Sequence, residues 1–244
     1  MITREKNDLF PTKAGTVITE IDFKTGEVIL IDKPAGWSSF KVIRKIRNVI
    51  GVKKVGHAGT LDPMATGLLI VATGKKTKSI HEYQSLVKTY TGTITLGKSS
   101  ASMDMETEII SEKPFSHITN EDIYKVRDEF IGTIKQIPPM YSAVKYKGKS
   151  LYHLARKGME VEREAREVVV SDFKILKIDL PDIDFEITCS KGTYIRVIAN
   201  DFGKKLGCGG LLSSLRRTKI GDYSVENALL VDEFVERFTS KQVL

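Results

Sequence analysis

Apolar residues occur along this chain in short bursts, and their spacing predicts the elements. Residues 27–32 (Glu-Val-Ile-Leu-Ile-Asp) read as a buried strand. Ser38 or Ser39 can cap a helix running to about Ile50. On its wheel Phe40, Val42, Ile43, Ile46, Val49 and Ile50 share one broad face, with Lys41, Arg44 and Lys45 opposite. Such a helix packs on a core and presents cations to solvent. Residues 56–67, with three glycines and Pro63, read as loop, and 68–73 as the next strand. Alternation over 87–96 suits another strand. Thr119, with Asp122 placed for a capping box, opens a helix to about Phe130. Residues 150–157 read as a short helix closed by Gly158, and 168–180 and 184–190 as long strands. Residues 193–206 form a helix closed by Gly207, and a last helix covers about 231–238. Strands and helices are interspersed without a βαβ period, so the expected class is α+β with a mixed or antiparallel sheet flanked by helices.

Composition narrows the class. At 244 residues and 41% hydrophobic, the chain is a folded globular protein with ample core. No apolar run approaches a membrane span, and residues 1–10 are too polar for a signal peptide. Cys189 and Cys208 form no CxxC and suggest reduced thiols in a cytoplasmic protein. The net charge of +7 points to an anionic partner, and the charge is uneven. From Lys33 to Leu61 there are seven Lys or Arg and no acid. Asp62 ends that run as a lone carboxylate, in a field that keeps it ionised and facing any polyanion drawn to the surface. An Asp before Pro is also a common turn residue, and Asp62-Pro63 alone fits that role too.

Several catalytic templates fail. Gly74-Lys75-Lys76 has Leu69 where a P-loop needs glycine and Lys76 where it needs Ser or Thr. Gly36-Trp37-Ser38-Ser39-Phe40 lacks the last glycine of a nucleophile elbow. The four histidines and two cysteines have no metal-ligand spacing, and there is no GxGxxG. A carboxylate-driven reaction on nucleic acid, without metal or cofactor, remains.

Four segments then fall in register: Asp32 to Ser39 (DKPAGWSS), Val55 to Gly67 (VGHAGTLDPMATG), Gln136 to Lys145 (QIPPMYSAVK) and Cys189 to Arg196 (CSKGTYIR). In this order and spacing the chain resembles the TruB family of tRNA pseudouridine synthases, from about Gly26 to Asp222. The resemblance implies a pseudouridine synthase catalytic fold with a curved sheet and an active-site cleft. It implies isomerisation of uridine to pseudouridine, usually uridine-55 in the T loop of tRNA, with the base flipped out and no cofactor. Asp62 matches the essential aspartate, as nucleophile or as the group assisting glycosidic cleavage. Arg196 matches the arginine that pairs with it. Tyr90 matches the tyrosine that stacks on the target base and is a candidate proton acceptor; a strand tyrosine is otherwise core. His57 matches the histidine that holds the T loop open, and Tyr194 and Leu215 match residues lining the uracil pocket. The implied partner is the T-arm of tRNA, and the implied state a monomer.

The chain departs from the pattern in two places. It ends at Leu244, too soon for the C-terminal PUA domain of many bacterial members, so residues 1–25 are expected to be a lead-in and 26–244 one catalytic domain. After Gly97, Ser100 and Ser102 stand where the family usually has threonines, and Thr107 lies near a missing glycine; a changed loop is expected, with Asp104 in place. The basic stretches 41–54, 75–78, 145–149 and 204–219 are candidate phosphate contacts. An RNA chaperone, an RNA-guided synthase and a catalytically inert RNA-binding module are the competing readings.

Overall fold

A computed structural model describes residues 21–239. Most of the expected lead-in, 1–25, lies outside the described residues. The elements begin with β1 (Val28–Lys33), α1 (Ser39–Ile50), β2 (Val55–His57) and β3 (Thr66–Thr73). A 3-10 turn (Gly74–Ser79), α2 (Ile80–Ser85), β4 (Lys88–Leu96), β5 (Lys98–Ser100) and β6 (Ile109–Glu112) follow. Next come α3 (Asn120–Asp128), β7 (Gly132–Gln136), β8 (Lys145–Tyr146), β9 (Lys149–Ser150) and α4 (Leu151–Ala155). The chain continues through β10 (Arg166–Asp179), β11 (Asp182–Cys189), α5 (Ile195–Lys205) and β12 (Gly210–Ile220). It closes with β13 (Tyr223–Ser224), β14 (Leu229–Leu230) and α6 (Val231–Thr239). The expected α+β class, a mixed sheet flanked by helices, is what forms. Two compact units divide it: one ends at Lys88 and resumes at Arg216, the other is Thr89–Leu215.

In the first unit β1 lies antiparallel to β3, with Lys33 opposite Gly67, and parallel to β14. β2 lies antiparallel to β3, and Arg216 and Arg217 of β12 run parallel to Thr66 and Gly67. Both faces of β1 and β3 are covered, which is why these strands read as continuous apolar runs. One face, including Ile29, Ile31, Leu69 and Val71, packs on Val42, Ile43 and Ile46 of α1 and on Phe234 and Phe238 of α6. The other, including Val28, Leu30, Leu68 and Ile70, packs against Ile80, Tyr83 and Leu86. Ser38 is the α1 cap, accepting from the Lys41 N–H, and Gly51 ends the helix in the left-handed region at φ 65°. The expected apolar face of α1 is corrected at one position: Phe40 is 65% exposed, and Ser39 is buried in its stead.

In the second unit β10 pairs antiparallel with both β11 and β7, and β4 lies next to β11. Its core holds four phenylalanines from three elements and the end of a fourth. Phe173 sits 6.0 Å from both Phe185 and Phe202, and Phe130 stacks 5.9 Å from Phe202. The capping box of α3 forms as expected, Thr119 and Asp122 bonding reciprocally. β12 was not expected: residues 210–220 read as part of a basic stretch because they carry serines and cations rather than an apolar alternation. The loop expected over 56–67 is shorter, since β2 takes its first two residues and β3 its last two.

Candidate active site

Asp62 sits, half-buried, in the loop between β2 and β3 of the first unit. That loop is fastened at neighbouring positions. Ser39 Oγ accepts from the Leu61 N–H at 2.9 Å and donates to the Leu61 carbonyl at 3.1 Å. The Pro63 carbonyl accepts from the Gly36 N–H at 2.8 Å and from Lys33 Nζ at 3.3 Å. The Asp62 carbonyl accepts from the Ala65 N–H at 3.1 Å, closing a turn. The segment 33–39 thus grips both flanks of Asp62 and fixes its backbone.

Lys33 is the centre of that grip. Its side chain is 0% exposed, and Nζ also donates to the carbonyls of Pro34 (2.9 Å) and Trp37 (2.6 Å). Burial lowers its pKa from 10.5 to about 8; the Asp62 carboxylate opposes this and the Arg217 charge adds to it. Lys33 is therefore a cation at neutral pH, held next to a carboxylate.

β12 supplies two arginines with different tasks. Arg216 clamps Asp32 with both oxygens engaged, at 3.1 and 2.6 Å. Arg217 is 1% exposed and donates to the carbonyls of Leu68 (2.8 Å) and Gly59 (3.1 Å). Arg217 is thereby removed from the candidate phosphate contacts of 204–219, because it is spent inside the fold. Gly67 allows the approach: a Cβ there, at φ 102°, would lie 2.3 Å from the Arg217 carbonyl oxygen. His57, at the end of β2, is partly buried. Desolvation lowers its pKa below 6.5; the Gly59 backbone opposes this and the Arg217 charge reinforces it.

The second unit holds the other four expected residues. Tyr90 lies in β4, 9% exposed, and Leu215 lies partly buried in β12. Tyr194 precedes α5, its backbone clamped by Gln136, which accepts from its N–H at 3.0 Å and donates to its carbonyl at 3.3 Å. Arg196, in the first turn of α5, is buried with its guanidinium 5.8 Å from the centre of the Tyr194 ring. It donates to the carbonyls of Ser102 (3.3 Å) and Tyr141, and lies 3.9 Å from the Asp104 carboxylate. The loop between β5 and β6 that carries Asp104 is knitted by the residues in which the sequence departs from the family pattern. Ser100 Oγ donates to the Asp104 carbonyl at 2.6 Å, and Thr107 Oγ1 meets the Ser102 hydroxyl at 2.9 Å and its N–H at 3.0 Å.

The N-terminal-domain profile of the TruB family pseudouridylate synthases matches residues 47–195, and the C-terminal-domain profile of tRNA pseudouridylate synthase B matches 196–242. The chain belongs to the TruB family. A relative from Flavobacterium johnsoniae named tRNA pseudouridine synthase B is 48% identical over 226 residues, 90% of this chain and 99% of that one. Another of that name, from Chloroherpeton thalassium, is 50% identical over 87% of this chain and 90% of its own. Among solved structures, one titled "Crystal Structure of a Cbf5-Nop10-Gar1 Complex" is similar with a TM-score of 0.70 and 28% identity. That likeness covers 91% of this chain and spans 56% of the structure's own chain.

Within this TruB-family chain, the motifs mark Asp62, His57, Tyr194 and Arg196 and leave the residues that hold them without a mark. Lys33 lies in the segment DKPAGWSS, where nothing local gives it a role. The same holds for Gln136 in QIPPMYSAVK, and its bond to Tyr194 spans 58 residues of sequence. Arg217 falls in the basic stretch 204–219 and reads there as a surface cation. A cation next to a proline-glycine turn is the one local signal that could have marked Lys33.

Proposed function

We propose that this protein isomerises uridine to pseudouridine in tRNA, at uridine-55 of the T loop. The observation that carries the reading is TruB membership over residues 47–242 together with Asp62 in a loop fastened on both sides. The N1–C1′ bond breaks, the uracil turns, C5 bonds to C1′, and the C5 proton is lost while N1 gains one. Atoms and charge balance, and no redox partner is required. Asp62 acts ionised, on the sugar or on the base. Tyr90 stacks on the flipped base and is the candidate acceptor of the C5 proton. Arg196 supplies the cation that favours the ionised carboxylate. His57, kept neutral by burial, helps hold the T loop open, and Tyr194 and Leu215 line the uracil pocket. Extruding the stacked uridine costs a few kcal/mol, offset by stacking and phosphate contacts.

We place residues 26–244 together as the catalytic domain, acting as a monomer in the cytoplasm on the T-arm. The test is carbodiimide-adduct mapping by primer extension on an unmodified tRNA transcript. A stop marking uridine-55 is expected after incubation with wild type and absent with Asp62→Asn. A stop at other uridines only would overturn the site assignment.

A further inference from the structure

One surface of the first unit adds an exposed aromatic to a basic stretch read so far only as candidate phosphate contacts. Phe40 projects from the start of α1 at 65% exposure, where the helical pattern calls for a buried residue. Next to it Lys41 lays its ammonium 4.0 Å from the centre of the Trp37 ring. Lys41, Arg44 and Lys45 are all exposed, and none has a carboxylate within 4.0 Å among the described residues. No acid occurs in the segment from Lys33 to Leu61 itself. Single exposed phenylalanines are common on proteins and need no function. This one shares its helix with three exposed cations that form no ion pair among the described residues, and the chemistry of that pair of features is specific. Aromatic faces take unpaired bases, and flanking cations take the phosphates on either side. The position fits too, since Ser39, adjacent to Phe40, is hydrogen-bonded to both the N–H and the carbonyl of Leu61, next to Asp62.

We propose that Phe40, Lys41, Arg44 and Lys45 form an accessory RNA site on α1, stacking one unpaired nucleotide of the substrate on Phe40 with its phosphates on the cations. It rests on the reading of the protein as a tRNA-modifying enzyme. The site reads no sequence, because every base has a face to stack. It adds affinity and fixes the orientation of the RNA relative to Asp62.

The test measures tRNA dissociation constants across a salt series for wild type, Phe40→Ser, a triple Lys41→Gln, Arg44→Gln, Lys45→Gln variant, and a control Lys174→Gln, Lys177→Gln. The control removes exposed cations of the second unit that are already paired with Asp172, Glu186 and Asp179. Phe40→Ser should weaken binding about tenfold, the scale of one stacked base. The triple variant should lower the slope of log affinity against log salt by about 2. The control should leave both near wild type. Thermal melts confirm that each variant folds. Unchanged binding by Phe40→Ser overturns the stacking, and a triple variant no different from the control overturns the site. Both leave the proposed activity standing if wild type still produces pseudouridine; failure of wild type to do so removes the activity and this site together.

Discussion

Replacing Lys33 with Met tests how the Asp62 loop is held. The methionine fills nearly the same volume and removes the ammonium with its bonds to Pro34, Trp37 and Pro63. A charged donor contributes roughly 1.5–3 kcal/mol per hydrogen bond, so these three, one of them long, are worth about 6 kcal/mol. Against that stands the penalty on a buried charge. The fall in pKa from 10.5 to about 8 corresponds to about 3 kcal/mol that Lys33→Met would recover. The net destabilisation expected at pH 7 is about 3 kcal/mol. It should grow with pH. Lys33 resists protonation when folded, so below pH 8 wild type carries the whole penalty. Between pH 8 and 10.5 the unfolded chain binds the extra proton, and wild type gains stability that the variant cannot. At pH 9.5 the gap should be about 2 kcal/mol wider than at pH 7. Urea unfolding of both proteins at both pH values reads this directly. A gap below about 0.5 kcal/mol at pH 7, or one that does not widen by pH 9.5, would refute the reasoning.

Other substitutions probe the rest of the site. Gly67→Ala puts a Cβ against the Arg217 backbone at a positive φ, and strain plus overpacking should cost about 3 kcal/mol, read as a fall in melting temperature of about 10 °C; an unchanged melt would mean β3 and β12 separate freely. Asp104→Asn removes a carboxylate 1% exposed beside Arg196, itself 3% exposed, and should destabilise by about 3 kcal/mol in urea while lowering pseudouridine formation. Full stability and full activity together would show that Arg196 needs no help from Asp104. The lowered pKa of His57 means that the folded state resists its protonation, so the stability it contributes is present above pH 6.5 and lost as pH falls below it. Imidazole NMR shifts should show His57 less than half protonated at pH 6.5; a ring half-protonated or more there would contradict this.

The sequence made the local devices legible and left the long-range ones hidden. The caps at Ser38 and Thr119 and the closing glycines at 158 and 207 depend on neighbours within a few residues, and they appear where expected. The strand 28–33 was readable because both its faces are buried. Ser39 was not, since its partner is 22 residues away and a second serine in a helix start has no local mark. β12 hid behind its own cations, because the pattern cannot tell an arginine satisfied by carbonyls of Leu68 and Gly59 from one in solvent. Phe40 failed in the opposite sense: the wheel places it on the edge of the apolar stripe, and the packing against β1 and β3 stops short of it. The candidate site shows the same division. The motifs supplied Asp62, Arg196 and Tyr194, and the tasks of the residues that fasten them, Lys33, Asp104 and Gln136, emerged only from geometry.

The central claim is that Asp62 drives the conversion of uridine to pseudouridine. Tritium release from a T-arm stem-loop labelled at C5 of its uridine tests it most directly, with wild type and Asp62→Asn run side by side. Release by wild type alone, with both proteins binding the RNA, is the predicted result. Release by Asp62→Asn at the wild-type rate, or none by wild type with the RNA bound, would contradict the account.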